Sequence, residues 1–265
     1  MASPLPEAMA ALWPGLACAL GLVVGSFANV CIHRLPRRES VVRPRSRCPH
    51  CQAPITVWQN VPLLSWAVLR GRCRSCRAPI SKRYPAVEAI NGLAWLGLAI
   101  LLGPTPQAVV SMALVSALLV LSLIDLEHFV LPDAITRPGI ALGLACSLLP
   151  GPPSPLNAAG AAAGGYLAFL AIARAYRKTR GVEGLGQGDW KLVAMLGAFL
   201  GWQRMLLTVF LASVVGSVVG LALIALGRRS PKDMIPLGTF LGLAGILAVF
   251  AGDALVSWYR WVLGG

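Results

Sequence analysis

The run Leu12–Ile32 reads LWPGLACALGLVVGSFANVCI, an uncharged stretch closed at once by the basic segment His33-Arg-Leu-Pro-Arg-Arg38. A bilayer core of about 30 Å needs about 20 mostly apolar residues in one helix, and this run supplies them. Glu7 is the only charge before Arg34, so nothing basic precedes the run. It is therefore expected to stay as a helix rather than leave as a signal peptide. Similar runs follow at Val87–Leu102, Ala108–Ile124, Ile135–Leu149, Asn157–Ala173, Leu192–Trp202, Met205–Leu226 and Met234–Val262. Ile135–Leu149 and Leu192–Trp202 are short on their own, and each follows a polar segment containing an aspartate. The composition agrees: 57% of the 265 residues are hydrophobic and 12% charged, where a soluble domain is roughly 45–50% apolar and about 25% charged. The expected fold is an all-α polytopic membrane protein of about eight transmembrane helices. A disordered chain, a collagen-like fibre and a small disulfide-stapled scaffold are excluded.

Net charge is +13, from 23 Lys and Arg against 10 Asp and Glu. A nucleic-acid-binding protein concentrates such a surplus on one face of a soluble fold, whereas here it lies in loops between apolar runs, so no nucleic-acid partner is expected. Cytoplasmic loops are enriched in Lys and Arg. With eight spans, 21 of the 23 fall on one side, twelve of them in the segment His33–Pro85, and only Arg204 and Arg260 fall on the other. Both termini are then outside and the long basic loop is cytoplasmic, with anionic membrane lipid as its partner. Glycines four apart at Gly21/Gly25, Gly160/Gly164, Gly197/Gly201 and Gly216/Gly220 are expected to let helices approach closely. The proline-rich stretch Pro150–Pro155 reads as an external loop.

The basic loop carries Cys48-Pro-His-Cys51 and Cys73-Arg-Ser-Cys76. Two such knuckles close a tetrahedral thiolate site, so Cys48, Cys51, Cys73 and Cys76 are expected to hold a structural Zn²⁺ between helices 1 and 2. A reducing cytoplasm disfavours the disulfide alternative, and the flanking arginines favour thiolates. His50 lies in the first knuckle, but four sulfurs already suffice. Cys18, Cys31 and Cys146 sit on apolar helices as packing residues.

Two aspartates meet the membrane face. Asp125 ends the third run in Leu121-Ser-Leu-Ile-Asp125-Leu-Glu127-His128, and Asp189 opens the sixth in Gly184-Leu-Gly186-Gln-Gly188-Asp189-Trp190-Lys191. An ionisable group at membrane depth is a functional candidate. Two carboxylates sharing a poorly solvated site divide the labour of aspartic proteolysis: one activates water while the other polarises the scissile carbonyl. An ion or proton relay, or simple pairing with Lys191 or Arg137, stays open on these residues alone. Asp133 is expected to cap the next helix, and Glu127 to reach into water. The glycines before Asp189 lack the βαβ context of a nucleotide loop, and no Ser-His-Asp arrangement is supported.

Taken together, these segments resemble the type IV prepilin peptidase (leader peptidase/N-methyltransferase) family over nearly the whole chain. The likeness begins at Gly25-Ser-Phe-Ala-Asn29 and His33-Arg34-Leu-Pro36, and runs through both cysteine knuckles and Asn60-Val-Pro-Leu-Leu-Ser65-Trp66 to Arg83-Tyr84-Pro85-Ala-Val-Glu88. It ends in Ile124-Asp125 with Leu131-Pro132-Asp133, and in Gly186-Gln-Gly188-Asp189, which is similar to the GxGD signature of membrane aspartic proteases. The resemblance implies catalytic Asp125 and Asp189, zinc on the four cysteines, and cleavage of a basic leader from a type IV prepilin or type II secretion pseudopilin in the bacterial inner membrane. It also implies methylation of the new N-terminus from S-adenosylmethionine, with Gly71 and Glu88 in the methyl-transfer region. The division it implies is 1–33 for the first helix, 34–85 for the zinc loop and 86–265 for the peptidase core. The rival readings are a transporter using the aspartates as an ion relay and a zinc-ribbon membrane adaptor.

Overall fold

A computed structural model describes residues 7–151, 153–181, 185–228, 230 and 234–262. Of the residues read above, Pro152 and Gly184 lie outside the described ones, as do Arg229 and Lys232 among the 21 basic residues counted on one side. All regular structure among the described residues is helical: α1 (Glu7–Arg34), a single short turn of helix α2 (Leu64–Val68), α3 (Arg83–Leu102), α4 (Pro106–His128), α5 (Asp133–Cys146), α6 (Pro155–Arg180), α7 (Gln187–Ala225) and α8 (Leu237–Val262). Six of them, α1, α3, α4, α6, α7 and α8, are long and apolar enough to cross a bilayer. All eight apolar runs are helical, but not all of them are long enough on their own to span a bilayer. The two short runs fall in α5, which has 14 residues, about 21 Å at 1.5 Å per residue, and in the part of α7 that precedes Gly201.

The chain forms two compact units, Met1–Ser116 and Ala117–Gly265. In the first, α1 packs along α3. A Cβ on Gly21 would meet Trp95 at 2.8 Å, and one on Gly25 would meet the Glu88 backbone at 2.8 Å, so these two glycines do set a close approach. Polar side chains stitch the contact where no water is available. Buried Asn91 donates to the Gly21 carbonyl at 2.7 Å and accepts from Ser116 Oγ at 2.8 Å, while Trp95 Nε1 donates to that same hydroxyl at 2.9 Å. On the exposed face of α1 stand Leu12, Leu16, Leu20, Val23 and Phe27, the outward apolar stripe of a helix whose solvent is lipid.

In the second unit α7 is two arms, 187–200 and 202–225, because Gly201 breaks the helix at φ 70°, ψ −177°. Val193 and Met205 both lie 2.8 Å from where a Gly165 Cβ would be, and Leu196 and Thr208 both lie within 3.8 Å of the corresponding point on Gly245. Residues twelve apart on one straight helix would be separated by about 18 Å, so the chain turns back on itself at Gly201. The Trp202 N–H freed by the break donates to Asn157 Oδ1 at 2.8 Å. The first arm is enclosed, with every residue from Leu192 to Gly201 buried, which is why its sequence is apolar all round. The second arm is tied to α8 by Arg204, whose Nε and Nη2 bind the Asp253 carboxylate at 2.8 and 2.7 Å.

Gly201 is thus a turn residue, not a packing one, and Gly160 has nothing within 4 Å of its would-be Cβ. A substitution pair separates these roles. Gly201→Ala places a side chain in a backbone region that only glycine occupies cheaply, at about 1–3 kcal/mol, and against Pro153 at 2.9 Å. Its unfolding midpoint in detergent is expected to fall clearly, whereas Gly160→Ala holds or gains stability.

Candidate active site and metal centre

The cysteine loop belongs to the first unit. Cys48, Cys51, Cys73 and Cys76 bring four Sγ atoms within 4.8 Å of one another, and none is in a disulfide. Cys48 and Cys76 are 3.8 Å apart at sulfur, the edge of a tetrahedron with metal–sulfur bonds of about 2.3 Å. The two knuckles fold alike. Cys48 N–H donates to Ala53 and Cys73 N–H to Ala78, at 3.0 and 2.8 Å, and Gln52 and Arg77 both take positive φ of 57° and 60°. A sequence signal for this pairing exists beyond the cysteines: Arg47-Cys-Pro-His-Cys-Gln-Ala-Pro-Ile55 repeats as Arg72-Cys-Arg-Ser-Cys-Arg-Ala-Pro-Ile80.

Backbone N–H groups of Cys76 and then Ser75 pull the Cys73 thiol down to about 6. Cys76 goes the other way, to about 11; the Ala78 N–H favours its thiolate, but desolvation and the neighbouring sulfurs outweigh it. Four clustered thiols thus resist joint ionisation unless a dication neutralises them, and the donor set fits a thiolate-bound metal such as zinc. His50 is exposed and stands outside the cluster.

Asp125 and Asp189 belong to the second unit. Asp125 lies in the last turn of α4 and Asp189 in the first turn of α7, with exposures of only 5% and 8%. Leu131 joins their surroundings: it packs against Gly188, beside Asp189, and against Gly238, whose would-be Cβ is 2.9 Å from Asp125 Oδ2. Both carboxylates sit at helix N-termini, where free N–H groups and the helix dipole attract anions. Asp189 reaches back to the Gly186 N–H of its own helix at 3.1 Å. Asp125 meets the N-terminus of α8, 114 residues on, where Thr239 N–H donates to Oδ2 at 2.7 Å. The Thr239 hydroxyl stands 3.2 Å from the same oxygen and 3.1 Å from the Ser122 carbonyl. Neither Gly238 nor Thr239 was marked by sequence reasoning, since nothing near Asp125 in the chain announces a partner so remote.

Simple pairing with Lys191 or Arg137 receives no support for these two aspartates, because both cations go to Asp133. Lys191 Nζ binds Asp133 Oδ1 at 2.5 Å and Arg137 Nη2 binds Oδ2 at 2.7 Å. The Lys191 hydrogen bond, followed by the charges of Lys191 and Arg137, holds the Asp133 carboxyl below its usual range. Asp133 is the first residue of α5 and makes no side-chain cap; Pro132 is in the cap position. That corrects the expectation of a capping role: the cations outcompete backbone N–H groups for its oxygens.

Gly71 and Glu88 both fall in the first unit. Glu88 is buried and accepts the Leu63 N–H at 2.8 Å, across a backbone held at φ 57°. Gly71, at φ 67°, lies beneath Trp66, whose ring is 2.9 Å from where a Cβ would be. Trp66 and Glu88 line one cavity of about 750 Å³, with Asn29 and Tyr84 also on its wall.

Residues 19–102 match the bacterial peptidase A24 N-terminal domain, and residues 112–221 match the type IV leader peptidase family. A protein of Aeromonas hydrophila named prepilin leader peptidase/N-methyltransferase is 40% identical over 272 residues, covering 94% of each chain. Its namesakes in Burkholderia pseudomallei strain K96243 and Myxococcus xanthus strain DK1622 are 41% and 45% identical, over 95% and 87% of this chain and 90% and 69% of theirs. No solved structure matches.

Proposed function

The chain belongs to the type IV leader peptidase family, and on that premise we propose that it removes the leader of a prepilin or pseudopilin and N-methylates the residue exposed by the cut. The observation that carries the peptidase half is the pair of buried aspartates at helix N-termini, with Leu131 packed beside both and the neighbouring Lys191 and Arg137 given over to Asp133. In this reading one aspartate takes a proton from water as its oxygen adds to the scissile carbonyl carbon, and the other gives its proton to the carbonyl oxygen. Collapse breaks the C–N bond as a proton passes to the leaving amine, and water has been consumed. Buried carboxylates with few fixed donors suit this exchange, because each must hold a proton in turn.

The substrate is a chain with a basic leader and an apolar helix, so its scissile bond lies at the membrane face. The charge distribution supports termini outside, with the cysteine loop and aspartates facing the cytoplasm of a bacterial inner membrane. Neither the transporter nor the adaptor reading gains support from any comparison. Zinc on the four cysteines serves structure: a tetrahedral thiolate set leaves no open position for chemistry.

For methyl transfer we assign the donor, S-adenosylmethionine, to the cavity bordered by Glu88 and Trp66, with Gly71 acting through Trp66. A sulfonium cation is attracted by a carboxylate and by aromatic faces. In this reading residues 34–85 serve methyl transfer and 86–265 carry the peptidase. The test is incubation of purified protein with a prepilin-leader peptide and S-adenosylmethionine, read by mass. The expected product is shortened and one methyl heavier; an intact peptide overturns the reading. Glu88→Gln keeps the shape and removes the charge, and is expected to lower methylation of a pre-cut peptide at least tenfold while leader cleavage continues. Equal loss of both activities would count against the assignment.

A further inference from the structure

We propose that Thr239 is a positioning residue for the peptidase: its backbone N–H and hydroxyl together occupy Asp125 Oδ2 and leave Oδ1 as the oxygen that exchanges a proton with water. The inference rests on the dyad reading given above and names what aims one of its members.

A carboxylate oxygen has two lone-pair directions. At Asp125 Oδ2 both are met from one residue, by the Thr239 N–H at 2.7 Å and the Thr239 Oγ1 at 3.2 Å. Neither donor is easily replaced by water, since Thr239 is 6% exposed and Asp125 5%. The N–H is fixed in direction because it belongs to the first turn of α8, where helix geometry leaves it without an intrahelical acceptor. The hydroxyl has one proton and two possible takers, Oδ2 and the Ser122 carbonyl at 3.1 Å. An ionised carboxylate is the stronger acceptor, so the hydroxyl proton turns to Oδ2 while Asp125 is charged. Once Oδ1 has taken the proton from water, the hydroxyl is free to turn to Ser122. No covalent bond of Thr239 is made or broken; it rotates about its C–O bond and follows the charge. The carboxylate plane is held throughout by the N–H, which does not move.

This arrangement also gives Gly238 a purpose. A side chain there would come within 2.9 Å of Oδ2 and displace the carboxylate from the helix end. The α8 N-terminus is therefore shaped to receive Asp125 from another helix, with no bulk at Gly238, whose backbone N–H is a further donor to the carboxylate, and two donors on Thr239.

The experiment measures kcat and KM for leader cleavage in Thr239→Val, which keeps the N–H and approximate shape but removes the hydroxyl, beside Thr239→Ser, which keeps both donors. Thr239→Val is expected to lose about 10- to 100-fold in kcat with KM unchanged, the range for a hydrogen bond to a charged group. Thr239→Ser is expected to return to within about threefold of wild type, because the conservative hydroxyl restores the contact. A loss confined to KM, or a loss that serine does not restore, overturns the proposal. Should the valine variant not fold, Thr239→Ala removes the same hydroxyl without added bulk, and wild-type kcat in folded alanine protein overturns it too. Asp125→Asn is run alongside. If it cleaves normally, the dyad reading fails and takes this inference with it; if it is inactive while Thr239→Val cleaves normally, only this inference fails.

Discussion

Asp125→Asn and Asp189→Asn each bring leader cleavage down by roughly 10⁴-fold or more, the loss seen when one member of a catalytic set is removed. The substitution is nearly isosteric, and the amide oxygen still accepts what the carboxylate accepted: the Thr239 N–H at position 125 and the Gly186 N–H at 189. What an amide cannot do is take a proton from water or hold one for a carbonyl oxygen. The double variant is expected to be no slower than the worse single one, because members of a catalytic unit are not additive. Two controls show that the loss is chemical. Methylation of a pre-cut peptide continues in both variants, and Asp133→Asn, at a half-buried carboxylate engaged by Lys191 and Arg137, leaves cleavage near wild type. The measurement is the rate of appearance of shortened peptide by mass. Near-normal cleavage by either Asp125→Asn or Asp189→Asn would remove the dyad as the mechanism.

The second large effect is expected in the cysteine loop. From residue 41 to 80 only Cys48 and Gly71 are buried among the side chains described, so the loop has almost no apolar core. In the zinc reading its order comes from the metal, since a structural Zn²⁺ contributes about 10–16 kcal/mol of apparent binding free energy at neutral pH. Cys73→Ser or Cys76→Ser removes one of four ligands. Metal content is expected to drop from one zinc per chain to a small fraction of that, and segment 47–80 to become the first site of proteolytic cutting. Methyl transfer should fall with it, since Cys48, Cys73 and Trp66 border the same cavity as Glu88. Exposing wild-type protein to a strong chelator should reproduce the change. Elemental analysis decides the matter: zinc at the wild-type level in both variants would show that the four sulfurs do not form the site.

The limits of the sequence are visible at particular residues. Leu12–Ile32 announced its helix because a bilayer imposes one length and one polarity on any span. The knuckles were legible because ligand spacing is a local property, and the nine-residue repeat Arg47–Ile55 and Arg72–Ile80 would have predicted their matching folds as well. Gly201 was misread: a glycine four residues after Gly197 has the spacing of a packing pair, and only its φ of 70° shows that the helix ends there. Asp133 was misread for a related reason. Its position at the head of a helix suits a cap, but Lys191, 58 residues away, is brought within 2.5 Å of it.

Residue types and short-range spacing alone determined the membrane class, the apolar helices, the thiolate site and the two aspartates as candidates. They could do so because hydropathy, ligand spacing and helix periodicity act within a turn or two of chain. The tertiary structure decided which carboxylate takes the cations, where the Gly201 reversal places the two arms of α7, and that Asp125 ends against Thr239. Those outcomes depend on which helix end is packed against which, and a buried carboxylate takes the donors that packing brings to it.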